Sequence, residues 1–259
     1  MCYDDQARPP IPPGQSGSAH GEQITLSASD GNRFYAYIAL AAQHTESAVL
    51  IYPDVRGLHE FYRQLALRFA EIGIAAIALD YFGRTAGLTS RAEGFEFMPH
   101  VQQLQLDTIT LDTEAALAYI REKVGHEAHV FVIGFCMGGS LTLISGANEQ
   151  FSLSGLIPFY AGMTRDFGGA GTVLDFAPKI KYPVVGFFGG EDQGIPESAV
   201  QELDRKLDEA GVEHQLTVYP GAPHSFFDRK ADEFADASAD AWRKLLDFIQ
   251  TRHPVSQTS

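Results

Sequence analysis

Cysteine is nearly absent from this 259-residue chain, which has only Cys2 and Cys136. Two cysteines cannot build a disulfide scaffold, and their spacing matches no metal motif. Basic residues are also scarce. Nineteen Lys and Arg stand against 33 Asp and Glu, giving a net charge of −14. Such a field disfavours nucleic acid and anionic membranes, although a local pair of arginines can still hold a small anion. No apolar run approaches membrane-spanning length. The N-terminus lacks a basic segment followed by an apolar core, so no secretory signal is expected. A cytoplasmic location is the default expectation.

What is present is ordinary for a globular protein: 45% apolar and 20% charged residues. The length suits one α/β domain with a sizeable core. Residues 1–20 are rich in Pro, Gly, Ser and Gln and read as a flexible tail or an extended arm. One domain is expected over 21–252, with a tail at 253–259. The runs 24–28 and 33–39 flank Ser29-Asp30-Gly31-Asn32, a hairpin signal. Further strands are expected at 48–52, 74–79, 130–133, 155–160, 183–189 and 215–219. Helices are expected from Phe61 to Ile72, from about Pro99 to Val124, from Ser198 to Ala210 and from Phe234 to Ile249. Loops fill 85–98 and 161–178. Alternating strands and helices imply a mostly parallel sheet covered on both faces. There is no internal repeat.

The chemistry gathers around His129–Ser140, HVFVIGFCMGGS. Val130–Ile133 have the β-branched and aromatic character of a buried parallel strand. Gly134, Cys136 and Gly138 then give G-x-C-x-G, and a helix resumes at Ser140. This is a nucleophile elbow with cysteine in place of serine. The sharp turn strains its central residue and leaves no room for side chains two positions away. A thiol there faces a helix N-terminus, which favours thiolate and oxyanion. A lone cysteine is more often structural; the strand, both glycines and the helix together favour catalysis.

Two later loops complete the set, each after an expected strand. Gly190-Glu191-Asp192-Gln193-Gly194 carries an acid, and Gly221-Ala222-Pro223-His224-Ser225 carries a histidine. Nucleophile, acid, histidine is the α/β-hydrolase order. His224 would take the thiol proton, and Asp192 would orient the imidazole; Glu191 is the rival acid. Taken singly, His224 reads as a loop histidine and Asp192 as a turn former.

The segments GFCMGG, GGEDQGIP and GAPHSFF resemble the dienelactone hydrolase family across roughly Ile24–Ile249. That resemblance implies an α/β-hydrolase fold, a Cys-Asp-His triad and no cofactor or metal. It implies a thiol-activating acid after the third core strand, where Asp54 stands in Pro53-Asp54-Val55-Arg56-Gly57. It implies an oxyanion hole from the Met137 and Val55 N–H groups. Arg84 matches a family arginine that binds a substrate carboxylate. A second family arginine lies four residues after the histidine; here Asp228 takes that place and Arg229 follows. Phe159 and Tyr160 match aromatic pocket positions, and Ser225 joins them as a substrate-binding residue. Without the family, Arg84 reads as a surface arginine, Phe159 as the end of a buried strand and Asp54 as a partner of Arg56.

The expected function is cysteine-dependent hydrolysis of lactones or small esters through an acyl-enzyme on Cys136. The substrate partner is a small molecule, and the assembly a monomer or small homo-oligomer. Alternatives are a promiscuous short-chain esterase and a non-catalytic binding or sensor module on the same fold. A thiol redox protein in which Cys2 resolves an oxidised Cys136 is a third.

Overall fold

The computed structural model describes residues 7–14, 17–92 and 94–252. Its frame is an eight-stranded sheet. The elements in chain order are β1 (Ala19–Ser27), β2 (Arg33–Ala41), β3 (Ser47–Tyr52), α1 (Glu60–Glu71), β4 (Ala75–Leu79), α2 (Gly83–Ala86), α3 (Met98–Val101) and α4 (Leu106–Val124). They continue as β5 (His129–Phe135), α5 (Met137–Ser145), β6 (Gly155–Phe159), α6 (Val173–Phe176), β7 (Val184–Gly189), α7 (Glu197–Glu209), β8 (His214–Tyr219) and α8 (Ala235–Thr251). The strand order is β1-β2-β4-β3-β5-β6-β7-β8. β1 and β2 form the antiparallel hairpin, closed by a turn in which Gly31 sits at φ 88°. From β4 onward the neighbours run parallel.

The pleat decides which side chains face which helices. On β3, Tyr52 points towards α4 and α5, where its hydroxyl meets Thr113 at 2.6 Å and Ser145 at 3.0 Å. On β5, Phe131 and Phe135 point the other way, against Phe248 of α8 and Tyr62 of α1. α1 and α8 meet through Phe69 and Trp242, with ring centroids 4.9 Å apart. Helices therefore cover both faces. β3 and β5 lie wholly inside apart from His129, which explains their unbroken apolar runs.

Two sequence expectations change. The long helix from Pro99 is two pieces, α3 and α4, separated by residues 102–105. Gln105 is extended, its side chain lies against Gly168, and Leu106 N–H donates to Phe167 O at 3.4 Å. Docking of a distant segment sets that break, so local periodicity misses it. The 161–178 loop contains α6, begun by a capping box between Thr172 and Asp175.

Of the N-terminal arm, residues 7–14 lie over the body. Pro9 and Pro12 are buried, and Pro10 O accepts the Trp242 indole N–H at 3.0 Å. Residues 1–6, with Cys2, and the tail at 253–259 lie outside the described residues.

Candidate active site

The parallel topology brings the carboxyl ends of β3, β5, β6, β7 and β8 side by side. Cys136 follows β5 at φ 55° and ψ −113°. A non-glycine residue is costly there, by roughly 1–3 kcal/mol, and persists only when its surroundings enforce it. The enforcement is visible. A Cβ on Gly134 would lie 2.1 Å from Gly138 O, and one on Gly138 would lie 2.1 Å from Tyr52 O. A Cβ on Gly139 would lie 2.6 Å from Phe159 O. Three backbones thus meet where only hydrogen fits. Cys136 N–H donates to Phe159 O at 3.1 Å, fixing the elbow to β6. The thiol residue is partly exposed.

His224 and Asp192 meet across the ends of β8 and β7. Asp192 Oδ2 lies 2.6 Å from His224 Nδ1. Its Oδ1 accepts Gly194 N–H at 2.9 Å, so both oxygens are engaged. Glu191 is exposed, and its backbone N–H is tied to Ala222 O. Of the two adjacent acids, Asp192 is therefore the one on the imidazole. The carboxylate on Nδ1 fixes the orientation of the ring.

The loop after β3 is braced from several sides. Tyr81 donates to Pro53 O at 2.6 Å, and Asp54 N–H donates to Tyr62 Oη at 2.9 Å. Leu58 N–H reaches Asp80 Oδ1 at 3.4 Å. Burial, the largest influence, drives the Asp80 carboxyl above its usual range, against the pull of Arg91. Arg91 grips Asp80 through Nε and Nη2, the latter at 2.8 Å, and lies 4.6 Å over the Phe95 ring. Neither Asp80 nor Arg91 stood out in the sequence; the only signal was an acid at the carboxyl end of a strand. Within the braced loop, Val55 N–H meets no internal acceptor among the described residues, nor does Met137 N–H at the start of α5.

Asp54 is held by its own loop. Its Oδ1 accepts Arg56 N–H at 2.8 Å, and its Oδ2 lies 3.4 Å from His59 Nε2. Arg56 Nη2 is 3.0 Å from the same ring. The partnership with Arg56 is thus present.

The residues expected to contact substrate have other partners in the fold. Arg84 donates to Asp30, to Asp112 Oδ1 at 2.8 Å and to Thr108 O at 3.3 Å. It ties α2 to α4 and to the β1–β2 turn, so both of its Nη groups are already engaged by carboxylates. Phe159 is fully buried, stacked on Phe135 at 4.8 Å; it supports the elbow through its carbonyl rather than lining a pocket. Ser225 is buried at φ 63° and shapes the turn after His224. Arg229 lines a cavity of about 580 Å³ beneath arm residues 7–11, alongside Arg68.

Tyr160 packs against the histidine. Its ring packs on His224 at 4.8 Å, and its hydroxyl donates to Asp228 Oδ2 at 2.9 Å. Burial, then the Asp228 charge, raises the phenol well above its usual range, so it acts as a donor. Among the described residues one group has metal-ligating geometry: Asp204, Asp208 and His214. It lies on α7 and the amino end of β8, away from these loops. Among the described residues, no helix is long and apolar enough to cross a membrane.

Comparison with known proteins points to one family. The model of the dienelactone hydrolase family matches residues 34–253. A Synechocystis protein named "Putative carboxymethylenebutenolidase" is 31% identical over 223 residues, covering 78% of this chain and 85% of its own. The carboxymethylenebutenolidase of Pseudomonas putida is 25% identical over 238 residues, covering 88% and 95%. A Klebsiella pneumoniae crystal structure called "Putative Dienelactone Hydrolase" superposes with TM-score 0.79 at 22% identity, covering 90% of this chain and 99% of that one.

Proposed function

The chain belongs to the dienelactone hydrolase family, and from that premise we propose that it is a cysteine-dependent carboxylic-ester hydrolase acting on esters and lactones. Membership makes it a hydrolase on the α/β-hydrolase fold. The thiol route and the substrate class are the proposal. The observation that carries it is the strained Cys136 at the tip of β5, with the Asp192–His224 pair at 2.6 Å on neighbouring loops.

In this mechanism the Cys136 thiol passes its proton to His224, and the thiolate attacks the carbonyl carbon. The carbonyl π electrons move to oxygen, and the Met137 and Val55 N–H groups receive that oxyanion. The C–O bond to the leaving alcohol breaks as His224 returns the proton to it, leaving a thioester on Cys136. In a lactone the alcohol stays tethered to the acyl group. Water then attacks the thioester, and His224 takes its proton. The thiolate leaves and regains that proton, releasing the acid. Asp192 holds the imidazole tautomer and stabilises the imidazolium. Asp54 serves as the thiol-activating acid only if its carboxylate turns from Arg56 and His59. The bound form of the loop would have to supply that movement.

Replacing the nucleophile tests the proposal. Cys136→Ala should lower kcat/KM on a short-chain aryl ester by about 10³-fold or more with the circular dichroism spectrum unchanged. Intact wild type quenched during turnover should carry one acyl mass on the peptide containing Cys136. Turnover surviving in the purified variant refutes the thiol mechanism.

A further inference from the structure

Asp228 is the charged group that the mechanism leaves unused. It lies on the same turn as the histidine, and its N–H donates to Ser225 O at 3.2 Å. Its Oδ2 accepts the Tyr160 hydroxyl, and Tyr160 packs directly on the imidazole. Its Oδ1 accepts the backbone N–H of Arg229. Among the described residues no Lys, Arg or His forms an ion pair with it, whereas Asp54 shares its loop with Arg56 and His59. The groups facing it are Tyr160, Tyr62, Asp54 and His224, with Arg8, Arg68, Arg229 and Asp232 lining the cavity on its outer side. Arg68 is paired to Glu71. Arg84, the arginine expected to hold a substrate carboxylate, is held between Asp30 and Asp112.

We propose that Asp228 is a specificity-determining residue: it makes the site beside His224 select esters and lactones that carry no carboxylate and reject those that do. The proposal rests on the triad described above. Its physics is Coulomb repulsion in a partly desolvated site. At separations of several ångströms, a like charge opposes binding by a factor on the order of tenfold. The repulsion is conditional on pH. Burial among the aromatic rings, helped by the Asp54 charge, pushes the Asp228 carboxyl up to about 7, against the opposing pulls of Arg229 N–H, Tyr160 and His224. Below neutrality the group is largely protonated and the repulsion fades. Above neutrality it is a carboxylate and discrimination is full.

The experiment compares 4-nitrophenyl butyrate with 4-nitrophenyl hemisuccinate, an anionic ester of the same chain length. kcat/KM is measured from pH 5.5 to 8.5 after subtracting spontaneous hydrolysis. The ratio of neutral to anionic activity cancels partial unfolding and any titration common to both substrates. In wild type it should rise about tenfold through neutrality. In Asp228→Asn it should be flat and lower, and in Asp228→Arg it should shift towards the anionic ester. A flat wild-type ratio, or an unchanged ratio in both variants, overturns the assignment. Cys136→Ala on the neutral ester keeps the two ideas separable. Surviving turnover there overturns the triad itself. Cys136-dependent turnover with an unmoved ratio overturns only the role of Asp228.

Discussion

Gly138→Ala tests whether the elbow works through backbone contact. The added methyl would lie 2.1 Å from Tyr52 O and 2.3 Å from Pro53 O. An ordinary contact needs about 3.4 Å, so the end of β3 and the start of α5 must separate by roughly 1 Å. Neither side can yield by rotating a side chain, because both obstacles are backbone carbonyls. Pro53 is held from the far side by Tyr81, and the next residue by Tyr62, so the strain spreads into the loop carrying Val55 N–H. Overpacking of this kind costs about 1–3 kcal/mol in stability. The loss in catalysis should be larger, because misplacing a reacting group by about 1 Å costs on the order of a hundredfold. The assay is kcat/KM on a neutral aryl ester, at a temperature where circular dichroism shows the variant folded. The two proposed oxyanion donors, Met137 and Val55 N–H, would move relative to each other, so the loss should fall on kcat rather than KM. Activity within threefold of wild type would mean that the two backbones do not set the site geometry.

Two further outcomes follow from buried charge. Arg84→Ala strips the cation from Asp112, which is only 2% exposed, and should cost about 3 kcal/mol in urea denaturation. It should leave the neutral-to-anionic activity ratio alone; a selective loss on the anionic ester would restore Arg84 as a substrate clamp. Asp228→Asn should change how stability depends on pH. The unfolded carboxyl ionises near pH 4, the native one at about 7. Between these values the native state keeps a proton that the unfolded chain has released, so stability falls as pH rises. Allowing for solvent screening of a half-buried group, the wild type should lose about 2 kcal/mol from pH 4 to 8 that the Asn variant does not. Parallel stability curves for the two proteins would contradict the raised value.

The inner parallel strands, β3 to β7, are readable because each is a short apolar run, and burial on both faces demands that pattern; β8, at the sheet edge, is only partly buried and shows mixed polarity. The hairpin was readable because Asp30-Gly31 supplies the backbone freedom its turn needs. The break between α3 and α4 was not readable. Leu106 and Gln105 are ordinary helix residues, and what interrupts them is contact with Phe167 and Gly168, over 60 residues away in sequence. Nothing local encodes such a contact. The capping box at Thr172 is local, but the glycine-rich stretch around it reads as loop.

The candidate site divides along the same line. Cys136, Asp192 and His224 are legible as candidates because each follows a recognisable strand, and the sheet then fixes where those loops go. The glycines around Cys136 report sterics within five residues, which sequence spacing captures. Arg84 behaves differently. Its environment is set by Asp30 and Asp112, 54 and 28 positions distant, and no spacing rule reveals that the fold brings two carboxylates to it. Phe159 and Tyr160 are neighbours at one strand end, yet the pleat sends one into the core and turns the other towards His224. Asp228 is the opposite case. Its position was visible as a departure from the family pattern, but its consequence depends on Tyr160 and Asp54, which only the folded chain assembles around it. On the proposed mechanism, a charge reversed beside the triad would leave the bond-breaking groups in place and change what can approach them. Substrate choice can therefore diverge in this protein through a residue that never touches the reacting carbonyl.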